Sequence, residues 1–228
     1  VSIMHDAKLI AVTQGAEQHA LKSAQEIIMY CARVSNPSNQ DSTNTGLIKY
    51  CIKNRHWSIF EMANMILEIN TTRAISPQIL RHRSFSFQEF SQRYAAVDGL
   101  GLAIPLPNLR TQDEKNRQAS NDDLPEDTKR TLQADIDCLY EHASDVYHAL
   151  LERGIAKECA REVLPIGTPT KLYMNGTLRS WITYISLREK NGTQPEHQMI
   201  ALSCKQIFCR HNPIIGAALG GPDAPWEI

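Results

Sequence analysis

The sequence lacks a surplus of charge of either sign. Its 24 Lys and Arg stand against 25 Asp and Glu, a formal net charge of -1. A general nucleic-acid binder carries a basic excess, so any anion site must be local, built by clustering. No apolar run reaches membrane-spanning length, and the opening residues Val1-Ser2-Ile3-Met4-His5-Asp6 show no charged-then-apolar leader. The expectation is a soluble, cytoplasmic protein with no membrane partner. There are no internal repeats. CxxC pairs are also missing: the six cysteines lie at 31, 51, 138, 159, 204 and 209. Cys204, Cys209 and His211 are the only tight group, and their spacing is not that of a zinc site. Without a secretion signal, free thiols are expected rather than disulfides, and no metal. The Gly99-Leu100-Gly101 run lacks the further glycine spacing of a dinucleotide loop.

What is present fits one substantial domain over residues 1–228, with 42% apolar residues to build its core. Lys8 to Thr13 reads as a strand, and His19 to Val34 as a helix with Leu21, Ala24, Ile27, Ile28, Cys31 and Val34 on one face. A short helix follows around Leu47 to Ile52. Ser58 and Glu61 have capping-box spacing. Met65 to Thr71 alternates as a strand. Ser76-Pro77 opens a helix with Ser76 as its cap, on which Gln78, Arg81 and His82 share a face. The alternation of Phe85 and Phe87 indicates extended chain. Asn108 to Asp123 reads as a polar, mobile excursion. A long helix from Pro125 to Arg153 has Leu132, Ile136, Leu139, Ala143, Val146 and Leu150 as its buried stripe. Helices are expected at Ala156 to Leu164, Thr177 to Leu187 and Pro195 to Arg210, with a strand at Lys171 to Met174. Glycines and prolines in the last seventeen residues argue against regular structure there. The fold class is α+β, with a modest antiparallel sheet packed with helices.

One stretch does not fit core-building logic. Residues 81 to 94, RHRSFSFQEFSQRY, mix guanidiniums, an imidazole, a carboxylate, hydroxyls and aromatic rings. From Arg73 to Tyr94 every basic residue except His82 is Arg, whose planar fork matches phosphate and carboxylate as Lys does not. A solvated charged turn is the plain alternative. An RNA-binding module is another, with Arg81, Arg83 and Arg93 on phosphates and Phe85, Phe87 and Tyr94 stacked on bases; so is a structural protein whose arginines serve subunit contacts. The pattern RHR, seven residues, then Ser resembles the signature of the flavin-dependent thymidylate synthases, the ThyX family. The segment His56-Trp57-Ser58-Ile59-Phe60-Glu61 is similar to the family's His-x-Ser/Thr-x-Phe-Glu, with Ile59 where Pro is frequent. Arg161-Glu162-Val163-Leu164-Pro165 is similar to its Arg-x-Val-Leu-Pro, and Ser186-Leu187-Arg188 to its Ser-Leu-Arg.

The resemblance implies reductive methylation of dUMP to dTMP with FAD, NADPH and 5,10-methylenetetrahydrofolate, in a homotetramer with shared active sites and a ThyX-like fold, with no nucleic-acid partner. It places Ser58, Arg81, His82, Arg83, Glu89 and Arg179 against flavin. It places Gln78, Arg81, Glu89, Ser91, Gln92, Arg93, Arg161 and Arg188 against dUMP. Arg188, at the pyrimidine, and His56 are the implied catalytic pair. Thr177 stands where the family's flavin motif has Asn, and the nearest Asn is Asn175. Thr177, Thr183 and Gln194 are therefore left open as flavin contacts. The residues themselves agree on one point. No cysteine is preceded by Pro or followed by His, so the usual cysteine-nucleophile context is missing. A guanidinium at the ring would instead stabilise charge that develops there.

Overall fold

The structure, a computed structural model, describes residues 5–101, 103–190 and 192–228. The expectation that the chain shows no leader draws mainly on residues 1–4, which lie outside the described residues. The described chain forms two compact units. One comprises Asn70–Ile79 and Glu89–Leu172 with His5, and the other Asp6–Ile69, Leu80–Gln88 and Tyr173–Ile228.

A four-stranded sheet has the order β1-β2-β6-β3. Strand β1 is Asp6–Val12, β2 Asn64–Thr72, β3 Ser86–Glu89 and β6 Pro169–Thr177. Leu178 N–H bonds the Ala63 carbonyl at 2.9 Å, and Arg73 N–H bonds that of Thr168 at 2.9 Å. The start of β2 thus lies beside the end of β6, the antiparallel arrangement. Along β2, Met65, Leu67 and Ile69 are fully buried, as the period of two requires.

In the second unit, α1 (Ala24–Ala32) starts later than its apolar period suggests. Ser23 and Glu26 form a reciprocal capping box that fixes the first turn. Helix α2 is Gly46–Lys53. Helix α6 (Leu178–Arg188) buries Leu178, Trp181, Ile182 and Ile185, and Trp181 Nε1 donates to the Met65 carbonyl at 2.9 Å. Helix α7 is Pro195–His211. The expectation of an irregular tail fails, because α8 covers Pro213–Leu219. Pro213 occupies the first turn, where no amide partner is needed. Gly216 lets the helix approach Cys209, whose Sγ would lie 2.9 Å from a Cβ there. Gly220, at φ +117°, ends it. Proline and glycine here mark the ends of a helix and its close approach.

In the first unit, α3 covers only Ser76–Ile79. Ser76 does not cap it, since its Oγ is buried without a partner. The chain then turns, and Arg81 and His82 do not extend the helical face of Gln78. Residues 108–123 are more regular than expected. Strands β4 (Thr111–Gln112) and β5 (Ser120–Asn121) pair antiparallel, and Gln112 Nε2 reaches the carbonyls of Asp113, Asn116 and Ala119. Helix α4 is Glu126–Glu152, closed by Gly154 at φ +77°. Its C-terminal half packs Tyr147, Leu150 and Leu151 with Val97, Ala160 and Leu164. The expected buried stripe does not continue toward the N-terminus: Leu132 is 44% and Leu139 60% exposed. Helix α5 is Lys157–Ala160, followed by a 3-10 turn at Arg161–Val163.

Candidate functional site

In the second unit, the Arg81-His82-Arg83 turn is fastened to α6. Phe85 N–H closes it on the His82 carbonyl at 3.2 Å, and Ser180 Oγ donates to the Ser84 carbonyl at 3.2 Å. The Phe85 ring packs edge-on against Trp181 (4.9 Å) and Tyr184 (5.9 Å). Only glycine fits at 176 opposite that ring, since a Cβ would lie 2.4 Å from Phe85 Cδ1. So held, His82 stands edge-on to Tyr184 at 4.9 Å, and Arg188 Nε donates to its Nε2 at 3.0 Å. A ring nitrogen that accepts carries no proton, so His82 is the neutral Nδ1–H tautomer. Burial, reinforced by the Arg188 charge, pushes His82 down to about 4. Behind it His197, wholly buried, has its Nε2 3.2 Å from the Tyr184 hydroxyl. Burial first, then the charges of Arg188 and His82, hold His197 to about 3. The buried Tyr184 phenol is raised well above its usual value, chiefly by desolvation.

Arg81 and Arg83 are exposed, and among the described residues neither has a carboxylate partner. Arg179 pairs with Glu61. That pairing explains why Ser58 and Glu61 form no capping box: Glu61 is turned to the arginine, and the 3-10 turn Trp57–Glu61 has no side-chain cap. His56 and Ser58 are both exposed at this turn, with the His56 ring edge-on to Tyr50 at 5.8 Å. Thr177 caps α6 by accepting from Ser180 N–H at 3.2 Å, and Thr183 donates to the Arg179 carbonyl at 3.1 Å. Asn175 Oδ1 is buried without a partner. Gln194 precedes α7 without capping it.

The first unit carries a separate cluster. Both oxygens of Glu89 are engaged, by Arg73 Nη1 at 2.8 Å and by Thr170 Oγ1 at 2.9 Å. Arg93 Nε meets Glu158 Oε2 at 3.1 Å. Arg161 Nε donates to the Glu158 carbonyl at 3.3 Å, so the helix-spaced pair of Glu158 and Arg161 is not a side-chain ion pair. Two arginines sixty-eight positions apart thereby share one residue, with a carboxylate beside them of the kind an anionic ligand would replace. The Ser91 carbonyl accepts from Tyr94 and Ala95 N–H, each at 3.1 Å. Gln92 is buried and Gln78 half-buried.

The structure therefore joins His82 to Arg188, and Arg93 and Arg161 to Glu158, and puts His56 and Ser58 on one turn. Sequence reasoning missed Arg73, Thr170, Tyr184 and His197 as partners, and Glu158 as the link between arginines. Arg73 alone gave a signal, as the first member of the Lys-free run.

A family model described as thymidylate synthase complementing protein matches residues 17–214. The chain belongs to that family. Relatives within it include the "probable flavin-dependent thymidylate synthase" of Paramecium bursaria Chlorella virus 1, 52% identical over 216 residues, covering 93% of this chain and 98% of the viral one. A flavin-dependent thymidylate synthase of Synechocystis is 50% identical over 197 residues, covering 86% of this chain and 90% of that one. Among solved structures, a UMP/dUMP methylase, PolB, from Streptomyces cacaoi bound with 5-Br dUMP has a TM-score of 0.75 at 25% identity, covering 93% of each chain.

Among the described residues no group of three or more His, Cys, Asp or Glu could hold a metal ion, and no helix is long and apolar enough to cross a membrane. All six cysteines are free.

Proposed function

We propose that this family member is a flavin-dependent thymidylate synthase, a methyltransferase that converts dUMP to dTMP. Its cofactor is FAD, its carbon donor 5,10-methylenetetrahydrofolate and its reductant NADPH. The observation that carries the reading is the 3.0 Å hydrogen bond from Arg188 to His82. It ties the arginine expected at the pyrimidine to the turn expected at the flavin.

The residues present fit FAD. Arg81 and Arg83 offer exposed guanidiniums without a carboxylate partner, suited to a pyrophosphate, and Ser58 and Arg179 add a hydroxyl and a further cation. Bound FAD supplies the hydride that reduces the transferred carbon unit to methyl. The chain's own residues bind, orient and polarise. Arg93 and Arg161 hold the dUMP phosphate in exchange for Glu158, with Ser91, Gln92 and Gln78 as neutral contacts. Glu89, fixed by Arg73 and Thr170, presents a carboxylate in a set orientation. Arg188 takes up negative charge that develops on the uracil N3 and carbonyls, and its alignment by a neutral His82 means that no reorganisation is needed at the moment of reaction. His56 stands on the same turn as Ser58 and completes the catalytic pair.

The protein is expected to work as a homotetramer with shared sites. Such an assembly would cover the exposed Leu132 and Leu139 on α4. The test is formation of dTMP from dUMP, methylenetetrahydrofolate and NADPH by purified protein, with the flavin spectrum recorded. Mixing Arg93→Ala with Arg188→Ala should restore part of the activity if sites are shared. A protein that takes up no FAD and makes no dTMP refutes the reading.

A further inference from the structure

The residue after Arg188 is engaged at every polar atom of its carboxylate. Glu189 caps α6 at its C-terminus and is 8% exposed. Its Oε2 receives Lys205 Nζ, from α7, at 2.6 Å. Its Oε1 receives the main-chain N–H of Trp226, from the tail, at 2.5 Å. Its carbonyl accepts Gln198 Nε2 at 2.7 Å. Lys205, 1% exposed, also donates to the Ala224 carbonyl at 2.5 Å and lies 5.3 Å from the centre of the Trp226 ring. Trp226 is fully buried, edge-on to Phe208 at 5.3 Å, with Nε1 donating to the Gly221 carbonyl at 2.8 Å. The tail residues that complete this lock, 224 and 226, lie beyond the stretch matched by the family model, which ends at 214.

A wholly buried ion pair is poorly explained as a stability device. Desolvating both ions offsets most of their attraction, and well-packed apolar replacements are frequently no worse. Such a pair does fix geometry, because each partner is costly to leave unmatched and so neither can move alone. What it fixes here is the end of α6, one residue from the guanidinium that donates to His82.

Resting on the function proposed above, we infer that Glu189, Lys205 and the Trp226 tail form a positioning lock for Arg188, which holds its guanidinium in the orientation the methylation of dUMP requires. None of the three touches substrate; they act through Arg188. Lys205 and Glu189 neutralise one another, so the lock sets an angle without adding net charge to the cluster of Arg188, His82 and His197.

The test replaces both ions together, so that no charge is stranded. The variant Glu189→Gln with Lys205→Met should fold, take up FAD as the parent does and keep KM for dUMP within about threefold, while kcat falls about tenfold or more. A merely structural pair would not predict the second measurement. In an Arg188→Ala background the same double replacement should lower kcat no further, since the residue it positions is gone. Equal losses in both backgrounds, or an unchanged kcat in the parent, would overturn the inference. A reading without activity comes from histidine NMR of the ligand-free protein. If Arg188 is released, His82 should titrate at higher pH than its parent midpoint, and an unmoved His82 resonance would also overturn it. This readout separates the lock from the function: a parent that makes no dTMP sinks the function, whatever His82 does. If the Met variant does not fold, Glu189→Gln with Lys205→Gln keeps a hydrogen-bonded neutral pair. Gln is shorter than Lys and does not hold the Ala224 carbonyl as well, so kcat should fall and His82 titrate at higher pH than in the parent; an unchanged kcat and an unmoved His82 in this variant would overturn the inference.

Discussion

Acid should unfold this protein through His197, and the effect can be isolated. The side chain has no exposed surface, and the charge of Arg188 on α6, with that of His82 from the turn when protonated, disfavours a further proton on it. Tyr184 and Cys204 are close neighbours of this core and stay neutral, both thiol and phenol being raised by burial. Its folded value of about 3 lies below the ordinary 6.5. The unfolded chain therefore takes up a proton below pH 6.5 that the native state refuses. Stability is complete above about 6.5, falls as the pH drops and levels off near 3. At pH 5 the loss is about 1.5 pH units, or ~2 kcal/mol, some thirtyfold in the folding equilibrium. His82, pushed to about 4, adds a smaller loss, since it is half-buried and partly screened. Replacing His197 by Gln removes the proton acceptor and keeps a partner for the Tyr184 hydroxyl. Urea unfolding at fixed protein concentration, at pH 7 and pH 5, gives the difference for each protein. The parent should lose ~2 kcal/mol more than His197→Gln between the two pH values, whatever the variant costs at pH 7. Equal losses would show that His197 is not the group that resists protonation, and the neutral state of the cluster would need another origin.

Arg188→Ala should lower kcat by ~10²–10³ with FAD uptake retained, and Arg188→Lys should recover only part, because it keeps charge and loses the planar fork; steady-state kinetics alongside the flavin spectrum checks both. Gly176→Ala would put a methyl 2.4 Å from the buried Phe85 ring, and thermal unfolding should register an overpacking cost of ~1–3 kcal/mol together with weaker FAD binding as the turn shifts. Leu139→Glu, on the exposed stripe of α4, should split the assembly in sedimentation while far-ultraviolet dichroism of the protomer stays native.

The regular elements were legible where a single period governed the sequence. Met65, Leu67 and Ile69 alternate and are buried on β2; Leu178, Trp181, Ile182 and Ile185 recur at helical spacing and are buried on α6. The errors have common causes. In the sequence Pro213, Gly216 and Gly220 read as breakers, although each suits a particular position of α8. The stripe on α4 reads as core in the sequence because periodicity reports an apolar face without saying what covers it. Ser76 and Ser58 have the residue type of caps, yet one oxygen is orphaned and the other stands on a turn whose Glu61 is drawn off by Arg179. For the site, local motifs identified the residues and could not pair them. His82 and Arg188 are separated by 106 positions, and no spacing rule reaches that far. The links through Tyr184, His197 and Glu158 depend on tertiary packing alone.

The interleaving of the two units bears on how the chain can be made. Residues 70–79 and 89–172 build the first unit, and both stretches have emerged before residue 173 exists. The second unit cannot close until the final segment from Tyr173 onward arrives with α6, α7 and the tail. It must keep Asp6–Ile69 waiting, with the β2 residues Met65, Leu67 and Ile69 uncovered. No single cut yields either unit as one contiguous fragment. A chain released before Arg188 would present the Arg81-His82-Arg83 turn without the helix that fastens it, so that a premature stop removes the charge chemistry and the closing half of the core together.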